Sequence, residues 1–240
     1  MQKIEYLNRF WPLYLLSMLV MLLLSLGASK AATVFSENQP IYQKHTIVID
    51  AGHGGEDGGA TSVSGILESQ INLQIALRLD DLLHLLGYKT RMVRTTDISV
   101  YTEGDSLSEK KISDLKQRVK IVNETENSIL ISIHQNTFSD SQYSGAQVFY
   151  SANAESRVFA ARMQNQLIAA CNPGSTRKEK PADGIYLMQH IQNPGILLEC
   201  SFISNHQEEA KIQTVNYQER LCSVIASVLT EFILSTESSA

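Results

Sequence analysis

From His45 onward, short β-branched runs alternate with segments of helical period, and this alternation constrains the fold more than any other feature of the chain. HTIVID reads as a buried strand. From Glu68, ESQINLQIALRLDDLLHLLG places Ile71, Ile75, Leu79, Leu82 and Leu86 at helical spacing and stops at Gly87. YKTRMV is a short second strand. The charged segment Ser106 to Asn123 ends in an amphipathic helix, with Ile112, Leu115, Val119 and Val122 on one side. SILISIHQN and GAQVFYS read as strands, SRVFAARMQNQLIAA as a helix, GIYLMQ and GILLECSFIS as two more strands, and NYQERLCSVIASVLTEFIL as a closing helix. The pattern predicts an α/β domain: a mostly parallel twisted sheet of about six strands with helices on both faces. Thr95–Lys111 and Asn172–Asp183 read as loops, either over a site or as ordinary surface connections.

The first thirty-one residues form a separate object. Lys3 and Arg9 precede the uncharged run FWPLYLLSMLVMLLLSLGA, and small residues follow. This is the pattern of an export signal, while the length of the run approaches a membrane span. Residues 1–31 are therefore expected to be a signal peptide or an N-terminal membrane anchor, and residues 32–44 a linker. Residues 45–236 are expected to form the working domain, placed outside the cytoplasm and touching the membrane only through the N-terminal segment. The 240 residues, 43% of them hydrophobic, suit one such domain. A formal net charge of -5 and the lack of a long basic block argue against a nucleic-acid partner. Cys171, Cys200 and Cys222 form no CxxC pair, so neither a disulfide framework nor a thiolate zinc cluster is indicated.

The placement of polar residues carries the functional signal. His53 follows the first strand, Glu68 opens the first long helix, His134 closes the third strand, and Glu199 lies inside an apolar strand. Parallel strands deliver their C-terminal ends to one edge, where ligands of such sheets bind. Two imidazoles and a carboxylate converging there match a catalytic zinc site with one open position. Glycines beside His53 would let the chain turn tightly and leave room for metal and substrate. Each residue also has a plain reading. A lone histidine is more often a surface residue than a ligand, and Glu68 alone is an acid well placed in a helix's first turn. Glu199 on a water-facing edge strand would need no further explanation; buried, it is costly unless paired or functional.

These residues carry a resemblance. IVIDAGHGGEDGGA, LESQINLQIA, ISIHQN and LLECSFISN are similar, in order, to the four motifs of the zinc-dependent N-acetylmuramoyl-L-alanine amidases of the Amidase_3 type, which cleave bacterial peptidoglycan. The resemblance implies Zn2+ held by His53, Glu68 and His134, with Glu199 as the catalytic carboxylate. LKQRVKIVN resembles the family's Arg and Asn helix, here Arg118 and Asn123. EGDSLSEKKISDLKQRVKIVN, YSGAQVFY, STRKEKPADGIYLMQ and FISNHQEEAKI look like the family's spore-cortex branch, whose members prepare muramic acid for conversion to muramic-δ-lactam, the mark read at germination. Two departures stand out. Cys200 and Ser201 occupy the place of the family's ETGF or EVGF glycine motif, and Gln135 stands where many relatives have a small residue. Gln135 is expected to bear on the metal's immediate surroundings, which leaves the zinc affinity open.

The implied reaction is hydrolysis of the amide between the lactyl group of N-acetylmuramic acid and the L-alanine of the stem peptide. The partners are then peptidoglycan strands and, because free activity would lyse the wall, a regulatory protein. The alternatives are a zinc hydrolase for another peptidoglycan bond, and a wall-binding or scaffolding protein that keeps the fold with little or no activity. Asn136 is a candidate for orienting a ligand or substrate. Arg118 reads first as a helix-to-loop salt bridge and second as a substrate contact. His45, His84, His190 and His206 read as surface residues, and the cysteines as small buried hydrophobes.

Overall fold

The computed structural model describes residues 43–238 and, nearer the N-terminus, residues 15, 17–19 and 21, which are helical. The chain divides into two units, residues 1–40 and 41–240. The signal-or-anchor segment and the linker lie almost wholly outside the described residues. Among the described residues no helix is long and apolar enough to cross a membrane.

The elements run β1 (Thr46–Ala51), α1 (Glu68–Leu85), β2 (Lys89–Met92), α2 (Leu107–Asn123), β3 (Ser128–Asn136), β4 (Gln147–Tyr150), α3 (Ala154–Cys171), β5 (Lys180–Pro181), α4 (Tyr186–His190), β6 (Gly195–Phe202), α5 (His206–Ile212) and α6 (Val215–Glu237). They build a six-stranded sheet in the order β2-β1-β3-β6-β4-β5. β2, β1, β3 and β6 are parallel; β4 runs antiparallel to β6 and parallel to β5. Alternating residues feed two cores. Ile47, Ile49, Ile131, Ile133, Leu198 and Cys200 join the larger core, with α1, α3 and α6. Val48, Leu130 and Leu197 join the smaller one, with Val122 of α2 and Leu187 and Met188 of α4. Burying each such side chain stabilises the fold by roughly 1.5–3 kcal/mol before the cost of ordering it.

Several local readings change. GIYLMQ is not a strand: after Gly184 (φ 80) and an extended Ile185 the chain turns into α4. Leu187 and Met188, neighbours in sequence, are both buried, which a half-exposed strand would not allow. The strand beside β4 is instead Lys180–Pro181, within a segment that reads as loop. Ile112 lies on the outer face of α2, 49% exposed, while Val122 is fully buried. That helix begins at Leu107, so the end of the loop Thr95–Lys111 is helical; Ser106 and Glu109 form a capping box at its start. The loop Asn205 to Thr214 contains α5, whose first turn is capped by the Asn205 side chain.

Candidate active site

β1 and β3 lie side by side, so their C-terminal ends deliver His53 and His134 to one edge of the sheet. α1 starts at that edge with Glu68. One ligand atom from each of these three residues lies within 4.8 Å of the others, and the group can hold a metal ion. Nε2 of His53 is 3.3 Å from Glu68 Oε2, and Nδ1 of His134 is 3.1 Å from Glu68 Oε1. The two rings meet edge-on with centroids 5.0 Å apart. His53 itself has φ 62, a left-handed conformation that non-glycine residues rarely adopt and that clusters at functional sites.

The surrounding glycines divide the work. A Cβ on Gly52 would run into the His134 ring, and one on Gly59 would sit 2.7 Å from Glu68 Oε2 and 2.8 Å from the His53 ring. These two keep space for the donors. Gly54 and Gly55, expected to give room around His53, instead admit the backbone of Ile98 and Ser99. Ser99 Oγ donates to Gly54 O at 2.6 Å, and Gly55 N donates to Asp97.

Glu199 lies opposite His134 on β6, between β3 and β4 rather than on an edge. Its residue keeps some exposure, yet Oε2 is shut from solvent without a hydrogen-bond partner. Burial pushes its pKa up; His134 opposes and Glu68 reinforces the shift, leaving it at about 7. Glu68 is the reverse case. Burial would raise its pKa, but hydrogen bonds and attraction from His134 and His53 hold it far below the usual carboxylate range. Its oxygens also accept from the backbone of Ala60 and Gln135. For His53, burial works to lower the pKa, and Glu68 and Asp57 override it, so the pKa is raised.

A layer of polar groups fixes these donors. Asp57 Oδ2 lies 2.9 Å from His53 Nδ1, which leaves Nε2 facing Glu68. Asn72, one turn along α1 from Glu68, donates to Gly52 O and to Glu68 Oε1. Arg118 is 2% exposed. It pairs with Asp50 and Asp114 and donates to the carbonyls of Ala51 and His53. It is thus a buried support beneath the site, and its ion-pair partners lie on β1 and on its own helix rather than on a loop. Arg94, 3% exposed, donates to Ala51 O, Gly52 O, Ser69 O and Thr96 O. One guanidinium therefore joins the end of β1 to the first turn of α1.

Gln135 does not join the donor set. Its amide donates to Asn72 and accepts from Ser201, so two departures from the family pattern bond to each other. They sit where the β3–β6 register shifts, between the pairs His134↔Glu199 and Asn136↔Phe202. The bulge accommodates Cys200 and Ser201 beyond Glu199 without moving Glu199 from its place beside His134. Asn136 is half-buried at the end of β3, where its carbonyl accepts from Ile203 N. Asn123 lies away from the donors, bonded to the backbone of His190 and Gln192. Asp57, Asn72 and Arg94, which bond to the donors or to the backbone beside them, are passed over by the motif reading. The available signals are spacing, four residues from His53 and from Glu68 respectively, and for Arg94 a charge two residues beyond the strand KTRM.

The N-acetylmuramoyl-L-alanine amidase (Amidase_3) family model matches residues 47–231. A germination-specific N-acetylmuramoyl-L-alanine amidase of Bacillus subtilis is 39% identical over 181 residues, 75% of this chain and 76% of that protein. The CwlD amidase of Clostridioides difficile, solved in complex with the GerS lipoprotein, superposes with a TM-score of 0.76 at 33% identity, covering 79% of this chain and 98% of that one. Another N-acetylmuramoyl-L-alanine amidase, from Clostridium difficile 630, gives a TM-score of 0.70 at 26% identity over 80% of this chain and 98% of that one. The chain belongs to the Amidase_3 family, the N-acetylmuramoyl-L-alanine amidases that hydrolyse cell-wall peptidoglycan.

Proposed function

We propose that the amidase is zinc-dependent, with His53, Glu68 and His134 as ligands and Glu199 as the group that moves the proton. The observation that carries this reading is a buried, unpartnered carboxyl oxygen on Glu199, one strand from a converged set of two imidazoles and a carboxylate. Nitrogen and oxygen donors of this kind, with no thiolate, suit a catalytic zinc. Zinc at such a site supplies a Lewis acid for the scissile carbonyl and lowers the pKa of water. Glu199 accepts the proton of the attacking water and returns one to the departing amine of L-alanine. Its pKa of about 7 suits both roles near neutral pH. Asp57 holds the His53 ring so that Nε2 is the free donor. Asn136 is a further candidate for contact with substrate at the end of β3. The test is Glu199→Ala: it retains zinc, measured by metal content, and releases no stem peptide from peptidoglycan. Wild-type release by that variant would remove Glu199 from this role.

The cellular setting is part of the same proposal. Residues 1–31 export or anchor the protein, residues 32–44 link, and residues 45–236 act on spore cortex in the space around the forespore. Support comes from the germination-specific relative and the motif likeness to the cortex branch. The lipoprotein complex of the C. difficile relative supports a regulatory protein partner here. Cortex from cells lacking this chain should lose muramic-δ-lactam in muropeptide analysis; an unchanged profile would end the cortex assignment.

A further inference from the structure

Between the pairs His134↔Glu199 and Asn136↔Phe202, β3 carries one residue, Gln135, and β6 carries two, Cys200 and Ser201. Two residues against one make a bulge, and a bulge re-aims the side chains beside it. The Gln135 side chain spans this irregularity. It accepts from Ser201 Oγ at 3.0 Å and donates to Asn72 Oδ1 at 3.1 Å. Asn72 in turn donates to Glu68 Oε1 at 3.3 Å and to Gly52 O at 3.2 Å. Ser201, Gln135 and Asn72 are all buried, Gln135 being the most exposed at 3%, so bulk water offers them no replacement partners.

The polarity of this chain of bonds is set at its Glu68 end. A ligating carboxylate only accepts, so Asn72 must turn Nδ2 to Glu68 and Oδ1 to Gln135. Gln135 must then present Nε2 to Asn72 and Oε1 to β6, where the Ser201 hydroxyl donates. Reversing either amide would set donor against donor or acceptor against acceptor. The Cys200 thiol also bonds to the Gln135 side chain, but a thiol is a weak partner.

We infer that Ser201, Gln135 and Asn72 form a positioning relay, which holds Glu68 in place as a ligand and pins the bulge that aims Glu199. The inference rests on the roles proposed above for Glu68 and Glu199. It gives the departures at Gln135 and Ser201 one shared cause. A glycine in the bulge would offer no hydroxyl, and a small residue at position 135 would need none. Losing either member alone strands a buried polar group of the other, so the two act as a pair rather than independently.

The test uses the full-length protein and measures zinc affinity by chelator competition, then kcat and KM on a soluble muropeptide at saturating zinc. Gln135→Met keeps the volume and the backbone amide but removes the side-chain bonds. It should weaken zinc binding by about 10–100-fold, as loss of groups that orient ligands does. Ser201→Ala should weaken zinc binding by about tenfold. With zinc saturating, it should lower kcat by about 10–100-fold with KM unchanged, because Glu199 is misplaced rather than substrate lost. The double variant should bind zinc no more weakly than Gln135→Met alone. If Gln135→Met does not fold, Ser201→Ala decides alone. Wild-type zinc affinity and kcat in the single variants, or losses that multiply in the double variant, would overturn the relay while leaving the amidase mechanism standing. Wild-type protein that takes up no zinc would instead overturn the reading on which the relay rests.

Discussion

Glu68 and Glu199 face the same two imidazoles from different elements, and their environments differ in kind. Glu68 opens α1 with its oxygens engaged by His53, His134, Asn72 and two backbone amides. Glu199 sits on an interior strand with one oxygen shut away and unpartnered. The first is held ionised far below the usual range, and the second is pushed up to about 7. A carboxylate fixed as an anion is a ligand; one poised to gain and lose a proton is an acid-base group. The contrast supports the ligand and proton-carrier roles proposed for the two residues.

The sharpest way to break this contrast is to change each carboxylate in turn. Glu199→Gln should lower kcat by about a thousandfold or more, within the range of lost acid-base catalysis, while metal content stays at the wild-type level. Glu68→Gln should lose both. Metal analysis and peptide release, run on the two variants together, check it; equal metal loss from both would erase the distinction.

A second test reaches the support under the ligands. Asp50 would be raised by burial, but Arg118, His134 and Ser132 hold its pKa below the usual value. Asp50→Asn leaves the Arg118 charge buried with Asp114 alone, and should cost about 3–5 kcal/mol in denaturant unfolding. The sign follows from linkage. A depressed folded pKa stabilises fully above the unfolded carboxyl's pKa, and that stability is lost as pH falls through the folded value. The wild-type advantage over Asp50→Asn should therefore shrink in acid; an advantage constant from pH 7 to pH 2 would refute the account.

A smaller effect belongs to Arg94. Its guanidinium joins Gly52 O to Ser69 O, the neighbours of His53 and Glu68. Arg94→Met should weaken zinc binding by about 10–100-fold, as loss of groups that orient ligands does, with the far-ultraviolet circular dichroism unchanged. Unaltered zinc affinity by competition titration would make Arg94 a packing residue only.

The ligand side and the β4–β5 side of the sheet also differ in how far the sequence discloses them. β1, β3 and β6 are long, apolar and bounded by turn residues, so their strands and the residues at their ends are legible before any coordinates. GIYLMQ is as apolar but short, and short apolar runs do not distinguish strand from helix; packing against α2 decides for α4. Ile112 keeps the helical spacing yet faces solvent, because α2 covers the sheet with a narrower stripe. Arg94 and Asn72 are invisible to periodicity, since their role is to bond backbone carbonyls that only the fold brings near.

The titration of Glu199 gives the last test, and the smallest, because it moves a midpoint rather than removing a group. In metal-free protein its folded pKa, about 7, lies above the unfolded value. A carboxyl raised in this way is neutral in the fold at low pH, and ionising it at higher pH costs stability. Replacing it with neutral Gln removes that cost, so Glu199→Gln should melt above wild type, by a margin that grows from pH 4.5 to about pH 7 and levels off above it. A margin that shrinks over that range would mean the buried oxygen has found a partner in solution. Zinc binding places a dication near Glu199 and should lower its midpoint. The acid limb of kcat/KM, where the carboxylate fraction falls about tenfold per pH unit, then lies below the midpoint read from melting. The gap between the two midpoints measures how strongly the ligand cluster and the proton carrier feel each other, which is the coupling that Glu68 and Glu199 share across β3.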